Sequence, residues 1–241
     1  MLQVRNLKYT IGRGRGKFTV QNVNFSLEPG YLMCLLGKNG SGKSTLLRLL
    51  YGIMPADEGS IRWSGKEVYD YTGLLRREIA YVGDEPMFFE NMAIKENMEA
   101  FQLLYPDFSR KKWSYYLKRF ELENVEEAFY EELSTGQKRQ VQLAFVLARK
   151  PQLLLLDEPT ANLDPVFRVE FMELLQQLVA KEKISVILST HILDDVEEIA
   201  DYIGIMSEGE MILFGDREKI LEQQNGSLYK IDEKWKKENG T

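Results

Sequence analysis

A glycine-rich segment near residue 40 carries the residue types that bind phosphate groups. Its spacing is Gly, four residues, then Gly-Lys-Ser/Thr, and its members are Gly37, Lys38, Asn39, Gly40, Ser41, Gly42, Lys43, Ser44 and Thr45. Glycines let backbone N–H groups close around phosphate oxygens, and a helix that follows adds positive potential at its N-terminus. In this P-loop pattern Lys43 reaches the terminal phosphates and the Ser44 hydroxyl holds Mg²⁺. The segment therefore predicts a site for a nucleoside triphosphate.

Two carboxylates follow an apolar run in the second half of the chain. Residues 153–156 are four leucines, which is typical of a strand buried on both faces, and Asp157 and Glu158 come next. A carboxylate at the end of a parallel strand lies at the edge where ligands bind. We expect Asp157 to orient Mg²⁺ through water and Glu158 to polarise the attacking water. Without the P-loop, Asp157 and Glu158 would be better explained as an acidic strand end before a turn. The presence of the P-loop favours a role for them in metal binding and hydrolysis.

The elements that must position these residues follow an α/β order. Residues 1–36 alternate apolar and polar residues and predict an antiparallel β-layer that leads into the P-loop strand. Later apolar runs predict strands at 59–62, 67–69, 79–82, 153–156, 184–188 and 202–206, and periodic runs predict helices at 46–53, 136–149, 166–181 and 193–200. Residues 87–132 have helical spacing and no strand runs, which indicates an inserted helical lobe. We predict an α/β P-loop NTPase core of the RecA-like type, with a mixed sheet and this helical insertion.

The predicted boundaries divide one domain into three stretches and a tail. Residues 1–86 and 151–215 form the β-layer and the core, residues 87–150 form the helical insertion, and residues 216–241 form a short charged tail. The chain has 241 residues, of which 44% are hydrophobic, so a sizeable core can form.

Composition narrows the functional classes. The net charge is −6 with mixed signs, which gives no support for a nucleic-acid partner. The single cysteine, Cys34, lies in an apolar strand and excludes an intrachain disulfide. The N-terminus is not that of a signal peptide, and no uncharged apolar run reaches the ~18 residues of a membrane span. We expect a soluble chain without direct membrane insertion, whose membrane role would depend on a partner.

Three further motifs complete a family resemblance. Leu133-Ser134-Thr135-Gly136-Gln137 precedes the Asp157-Glu158 strand, and residues 161–164 (Ala-Asn-Leu-Asp) and Ser189-Thr190-His191 follow it. Together with the P-loop, the motifs resemble those of the ATP-binding-cassette (ABC) ATPases over nearly the whole chain. The resemblance implies ATP hydrolysis with Mg²⁺ and two copies that sandwich two ATP molecules. Each site would combine the P-loop of one copy with the signature motif of the other.

The resemblance also assigns roles to individual residues, each with a plainer alternative. Ser134, Gly136 and Gln137 would address the γ-phosphate held by the other copy, although Ser-x-x-Gln is also a helix capping box. Asp164 would bridge the two copies, although it also suits a turn before proline. His191, the only histidine, would contact the γ-phosphate and Glu158, although a lone histidine is usually a satisfied polar group.

Three positions depart from the family pattern. Thr135 replaces the commoner glycine, a mild change if its backbone is ordinary. Asp84 replaces the glutamine of the Q-loop; we expect it to accept a Mg²⁺-bound water or to pair with a basic residue of the lobe. The aromatic residue that stacks on adenine is displaced, and Tyr9 and Phe18 are the candidates, with core packing as the alternative for both.

The short helical lobe is similar to that of ATPase subunits paired with ABC-2 type exporter permeases. The resemblance implies an exporter subunit, cytoplasmic and peripheral on the inner face of the membrane, that dimerises with itself or a close paralogue and energises a separate multi-helix permease. Candidates for the permease contact are Met87, Phe88, Phe89 and Met92, with the lobe's own core as the alternative. Two rivals are a soluble ABC-type assembly or mechanical ATPase and a non-hydrolysing regulatory cassette; Glu158 and His191 disfavour the second.

Overall fold

The computed structural model describes residues 1–12, 14–69, 75–83, 85–160, 165–193, 196 and 199–223. Within them, ten strands form one sheet in the order β5-β4-β1-β2-β10-β9-β3-β8-β7-β6. The strands are β1 (Leu2–Ile11), β2 (Phe18–Leu27), β3 (Leu32–Leu36), β4 (Glu58–Trp63), β5 (Lys66–Glu67), β6 (Ile79–Val82), β7 (Leu153–Asp157), β8 (Ser185–Thr190), β9 (Tyr202–Ser207) and β10 (Glu210–Asp216). The helices are α1 (Lys43–Tyr51), α2 (Leu75–Glu78), α3 (Ile94–Gln102), α4 (Arg110–Arg119), α5 (Thr135–Ala148), α6 (Pro165–Glu182) and α7 (Arg217–Gln223).

The centre of the sheet is parallel. β3 pairs with β8 and β9, and β7 pairs with β8 and β6, all in parallel register. Every residue of β3, β7 and β8 is buried, because helices or the β-layer cover these strands, and this explains their uninterrupted apolar sequences. The predicted mixed sheet of an α/β fold is confirmed.

The predicted antiparallel β-layer is also present, and it is continuous with the parallel sheet. β1 pairs antiparallel with β2 and β4, while β2 meets β10 through a single parallel pair, Gln21 with Glu210. Gly209 holds this junction: its N–H donates to Ser41 O at 3.0 Å, and its carbonyl accepts from Gln21 N at 2.9 Å. Its φ is +86°, and a Cβ there would lie 1.9 Å from Thr19 O, so the junction requires glycine.

The helical lobe packs around one aromatic residue. Phe145 of α5 is fully buried, and its ring centroid lies within 6.4 Å of the rings of Phe88, Phe101, Tyr105, Phe108 and Trp113. The same apolar cluster continues into β7 and β8 through Leu154, Leu156 and Val186. The lobe therefore shares a core with the sheet, and the predicted boundary at residues 87–150 stays a prediction.

The C-terminal end contains one strand that the sequence did not predict and one helix that it did. β10 was absent from the predicted strands because its residues are mostly half-buried and include Glu210, Gly215 and Asp216. The short helix expected after residue 216 is α7, whereas residues 224–241 and half of the predicted helix at 193–200 lie outside the described residues. Among the described helices, none combines the length and apolarity needed to cross a membrane.

Candidate functional site

The P-loop joins β3 to α1 and leaves the start of the helix open. Gly42 is the N-cap of α1 with φ 105°, and it provides no side-chain cap for the first turn. A Cβ on Gly42 would lie 3.2 Å from Val20 Cγ2 and 3.3 Å from Phe18 Cζ, so both backbone angle and space favour glycine. Ser41 Oγ is buried and makes no hydrogen bond with the described residues. Such a helix start is suited to an anion.

Lys43, Glu158 and His191 form one chain of contacts. Lys43 Nζ donates to Gly37 O at 2.6 Å and lies 3.2 Å from Glu158 Oε1. The other carboxylate oxygen, Oε2, lies 2.7 Å from His191 Nδ1. The Lys43 side chain is 5% exposed, that of Glu158 19% and that of His191 52%, so this series of contacts leads from the interior to the surface. The structure thus brings together all three residues predicted to be catalytic.

The buried Asp157 carboxylate is held on both oxygens. Ser189 Oγ donates to Oδ1 at 2.7 Å, and the Tyr81 hydroxyl donates to Oδ2 at 3.3 Å. Ser189 lies opposite Asp157 in the β7–β8 register, and Tyr81 comes from β6 on the other side. Burial, followed by the nearby Asp157 charge, raises the pKa of Tyr81 to about 12, so its phenol stays protonated at neutral pH. Sequence reasoning missed the roles of Ser189 and Tyr81.

The backbone at Glu158 is unusual for a residue that is not glycine. Its φ is +46°, in the left-handed region, and its N–H donates to Ser189 Oγ at 2.9 Å. Arg139 of α5 donates to the carbonyl of Asp157 at 3.2 Å and to that of Glu158. Strained residues cluster at functional sites, where the surroundings hold them. Arg139 was also missed; its only signal was a basic residue one turn into an apolar helix.

The signature segment begins α5 as a capping box. Ser134 Oγ accepts from Gln137 N at 3.2 Å, while Gln137 Oε1 accepts from Ser134 N at 3.0 Å, as the sequence predicted. Thr135 is helical, so its replacement of glycine costs little strain. Ser134 is exposed, and a Cβ added to Gly136 would meet no atom within 4 Å. The start of α5 is therefore open on its outer side.

Both aromatic candidates are half-buried against the sheet core, and Phe18 lies beside the P-loop. Phe18 pairs with Ile11 across the hairpin, and its Cζ would lie 3.3 Å from a Cβ built on Gly42. The predicted sites Asp84 and Asp164 lie outside the described residues. Glu85, next to Asp84, pairs with Arg48 of α1 at 2.9 Å.

The lobe's apolar candidates separate into two groups. Phe88 is 4% exposed and belongs to the core around Phe145, so it is a residue of the lobe's own core and not of a permease contact. Met87 packs partly buried against the same core, and Met92 is half-buried. Phe89 is 55% exposed, with its ring centroid 5.5 Å from that of Phe101. Leu103 and Leu104, at the end of α3, are more exposed still.

These features define a P-loop nucleoside-triphosphate hydrolase. The P-loop follows the C-terminal end of the central parallel strand β3, acidic residues follow β7, and a histidine contacts Glu158.

Comparison with known proteins identifies the family within this class. The family model described as ABC transporter matches residues 20–161. The ABC transporter ATP-binding protein YtrB of Bacillus subtilis is 31% identical over 223 residues, which are 92% of this chain and 74% of YtrB.

Further relatives agree. The lantibiotic transport ATP-binding protein SrtF of Streptococcus pyogenes is 32% identical over 88% of this chain and 90% of its own. A solved dimeric ATP-binding cassette in a post-hydrolysis state, bound to ADP and Pi, superposes with a TM-score of 0.81 at 26% identity, covering 90% of this chain and 98% of that one. The chain belongs to the ABC transporter family. It is an ATP-binding subunit that hydrolyses ATP, as its sequence resemblance indicated.

Proposed function

We propose that this ATPase energises a separate membrane permease of an exporter, and that Glu158 is its catalytic base. The observation that carries the proposal is the placement of the Glu158 carboxylate between Lys43 and His191 at the P-loop. Export is supported by the relative SrtF, whose name refers to lantibiotic transport. The peripheral location on the inner membrane face follows from such a partnership.

The residues suggest a division of labour in hydrolysis. Lys43 would exchange its contacts with Gly37 O and Glu158 for the β- and γ-phosphate oxygens of ATP. Glu158, once released from Lys43, would accept a hydrogen bond from the attacking water and take its proton as the water oxygen bonds to the γ-phosphorus. The bond from the γ-phosphorus to the bridging oxygen of the β-phosphate would break, and ADP and inorganic phosphate would leave. His191 would hold Glu158 in place through the 2.7 Å contact and reach toward the γ-phosphate from the exposed side.

The donor set around the P-loop fits Mg²⁺. Mg²⁺ is usually bound through one or two protein oxygens, several waters and the substrate phosphates. Asp157 supplies a buried carboxylate fixed by two hydroxyl groups, and Ser44 supplies an exposed hydroxyl in the first turn of α1. When bound, Mg²⁺ would neutralise charge on the phosphates.

The remaining binding residues lie around the same loop. Gly37, Lys38, Asn39, Gly40, Ser41 and Thr45 would surround the phosphates with the N–H groups of the loop and of the first helical turn. For adenine we favour Phe18 over Tyr9, because Phe18 Cζ would lie 3.3 Å from a Cβ built on Gly42, which puts the ring beside the P-loop. Asp84 is proposed to act through water on the metal side of the site.

Two copies are proposed to complete each ATP site. The start of α5 is open at Ser134 and Gly136, and it can offer N–H groups and a hydroxyl to the γ-phosphate on a second copy. Asp164 is proposed to bridge the same seam. The solved relative that superposes on this chain is a dimer bound to ADP and Pi, which supports this arrangement.

The permease is proposed to contact the lobe at an apolar surface formed by Phe89, Leu103 and Leu104. These side chains are 55%, 81% and 61% exposed. A separate cavity of about 380 Å³ is lined by Gly83, Pro86, Glu90 and Lys138 among others, and Glu90 directly follows Phe89 in the sequence. We propose that a cytoplasmic helix of the permease covers this surface, since the family's ATP-binding subunits work on transporters.

Reconstitution tests the proposal. The chain should be combined in proteoliposomes with a permease that co-purifies with it, and ATP hydrolysis measured with and without the permease. We expect stimulation that Phe89→Glu abolishes while basal hydrolysis stays unchanged. Tyr31→Glu is the matched control, because Tyr31 is a 42% exposed aromatic residue beside β3, outside the lobe. Unaltered hydrolysis in the presence of the permease would favour a soluble assembly ATPase instead.

A further inference from the structure

We infer that Tyr81 is a positioning residue that fixes the Asp157 carboxylate and so sets the affinity of the site for Mg²⁺. The inference rests on the proposed role of Asp157. It adds a residue that belongs to none of the family motifs described above: Tyr81 lies inside β6, three residues before Asp84.

The contact is made by a side chain held from several directions. The Tyr81 hydroxyl donates a hydrogen bond to Asp157 Oδ2 at 3.3 Å, and Ser189 Oγ donates one to Oδ1 at 2.7 Å. The Tyr81 ring stacks on that of Tyr51 with centroids 5.7 Å apart and planes 23° apart. With one donor on each oxygen, the carboxylate cannot rotate freely about its terminal bond. Groups that orient a ligand in this way commonly set metal affinity.

Arg48 adds a positive charge near this pair of side chains. An ionised carboxylate can only accept a hydrogen bond, so the Tyr81 hydroxyl donates its proton to Asp157 Oδ2. The Arg48 guanidinium interacts electrostatically with Tyr81 and Asp157, and it pairs with Glu85 at 2.9 Å. Arg48 thus connects Glu85, at the entry to the helical lobe, with the Tyr81–Asp157 pair through its charge.

Gly83 makes room for this arrangement. A Cβ on Gly83 would lie 2.3 Å from the Tyr81 hydroxyl oxygen and 2.6 Å from Cζ. Its φ is not in the left-handed region, so the need for glycine here comes from the space taken by the phenol. The Tyr81 hydroxyl occupies the space that a side chain at residue 83 would need. Glycine at this position therefore allows the hydroxyl to reach Asp157.

The test compares two tyrosine variants of the full chain. Tyr81→Phe removes the hydroxyl and keeps the ring. Tyr69→Phe is the control, because the Tyr69 hydroxyl donates to Leu49 O at 3.2 Å, and the ring packs against the same core as Tyr81. Binding of a fluorescent, non-hydrolysable ATP analogue is titrated with Mg²⁺, and the half-saturating Mg²⁺ concentration is read out. Melting temperatures report folding.

We expect Tyr81→Phe to raise the half-saturating Mg²⁺ concentration about 3- to 10-fold. This lies at or below the 10- to 100-fold typical for orienting partners, because Asp157 is proposed to act through water. Analogue binding in EDTA should stay unchanged, and Tyr69→Phe should match the wild type. Gly83→Ala, whose Cβ would lie 2.3 Å from the Tyr81 hydroxyl oxygen, should displace the phenol and give a rise in the same direction, which keeps the test open if Tyr81→Phe folds poorly.

Asp157→Asn separates the two levels of the argument. If it raises the half-saturating Mg²⁺ concentration but Tyr81→Phe stays within twofold of the wild type, the inference about Tyr81 is wrong and the proposed Mg²⁺ site stands. An equal rise in Tyr69→Phe would likewise refute a specific role for Tyr81. If Asp157→Asn has no effect on Mg²⁺ dependence, both the inference and the proposed metal site fail.

Discussion

Replacing Glu158 with glutamine should separate ATP binding from ATP hydrolysis. The substitution keeps the shape of the side chain and removes the negative charge that would accept the proton of the attacking water. General-base catalysis typically contributes about 10²- to 10⁴-fold to rate, so hydrolysis should fall by about that factor. Lys43 and the P-loop glycines are untouched, so the phosphate contacts should persist.

The structure predicts that the same variant binds ATP more tightly. Lys43 is engaged by Glu158 at 3.2 Å, and ATP must replace that contact while placing phosphate charge near the carboxylate. An exposed ion pair contributes up to about 1 kcal/mol, and this pair is mostly buried, so we take about 1–2 kcal/mol as the gain. This corresponds to about 5- to 30-fold higher affinity.

Calorimetric titration with ATP in EDTA measures the affinity, and single-turnover phosphate release with Mg²⁺ measures hydrolysis. Glu67→Gln is the control, since Glu67 pairs with Arg62 at 2.7 Å on the exposed edge strand β5 and should alter neither quantity. Hydrolysis by Glu158→Gln within about threefold of the wild type would refute the assignment of the base. Weaker ATP binding by the variant would refute the competition between Glu158 and ATP for Lys43.

Three other predictions follow from the same site and its surroundings. Lys43→Ala should lower ATP affinity by about 2 kcal/mol, or about 30-fold, because the positive charge that contacts the phosphates is lost. If calorimetry gives the variant the same ATP affinity as the wild type, the phosphates do not bind at Lys43. Asp84→Ala should reduce basal hydrolysis less than Glu158→Gln and should act mainly on permease-stimulated hydrolysis; complete loss of basal activity would make Asp84 directly catalytic. Phe145→Ala should lower the free energy of unfolding, measured in urea, by about 3–5 kcal/mol because it leaves a cavity at the centre of the lobe. Phe129→Ala is the control and should lower it far less, because Phe129 is 46% exposed. Similar losses in the two variants would contradict the described packing.

Local sequence patterns were sufficient for the P-loop, the capping box at Ser134 and the buried strands, because each depends on neighbouring residues. The strand β10 escaped prediction because it lies at the junction of the two parts of the sheet and is stabilised by pairing with β9 rather than by its own apolar pattern. The meeting of Lys43, Glu158 and His191 joins three separate segments. The parallel strand end predicted Glu158 at the P-loop, whereas only the family resemblance anticipated His191 beside it.

The residues that support the site were harder to anticipate. Tyr81, Ser189 and Arg139 each contact Asp157 or Glu158 from a different element, and their types are common in ordinary strands and helices. Their roles depend on sheet order and register, which the sequence does not display. Phe88 and Phe89 show the same limit: adjacent residues of one type lie in the core and at the surface because the backbone turns them apart.

The shared ATP site is tested most directly by the mass of the Glu158→Gln variant in solution. Light scattering after gel filtration should give the 28.0 kDa monomer without nucleotide and a dimer of twice that mass with saturating ATP. The dimer is expected because ATP supplies the anion that joins the P-loop of one copy to the start of α5 on the other. A variant that remains monomeric with ATP bound, or that is a stable dimer without it, would contradict a site formed between two copies.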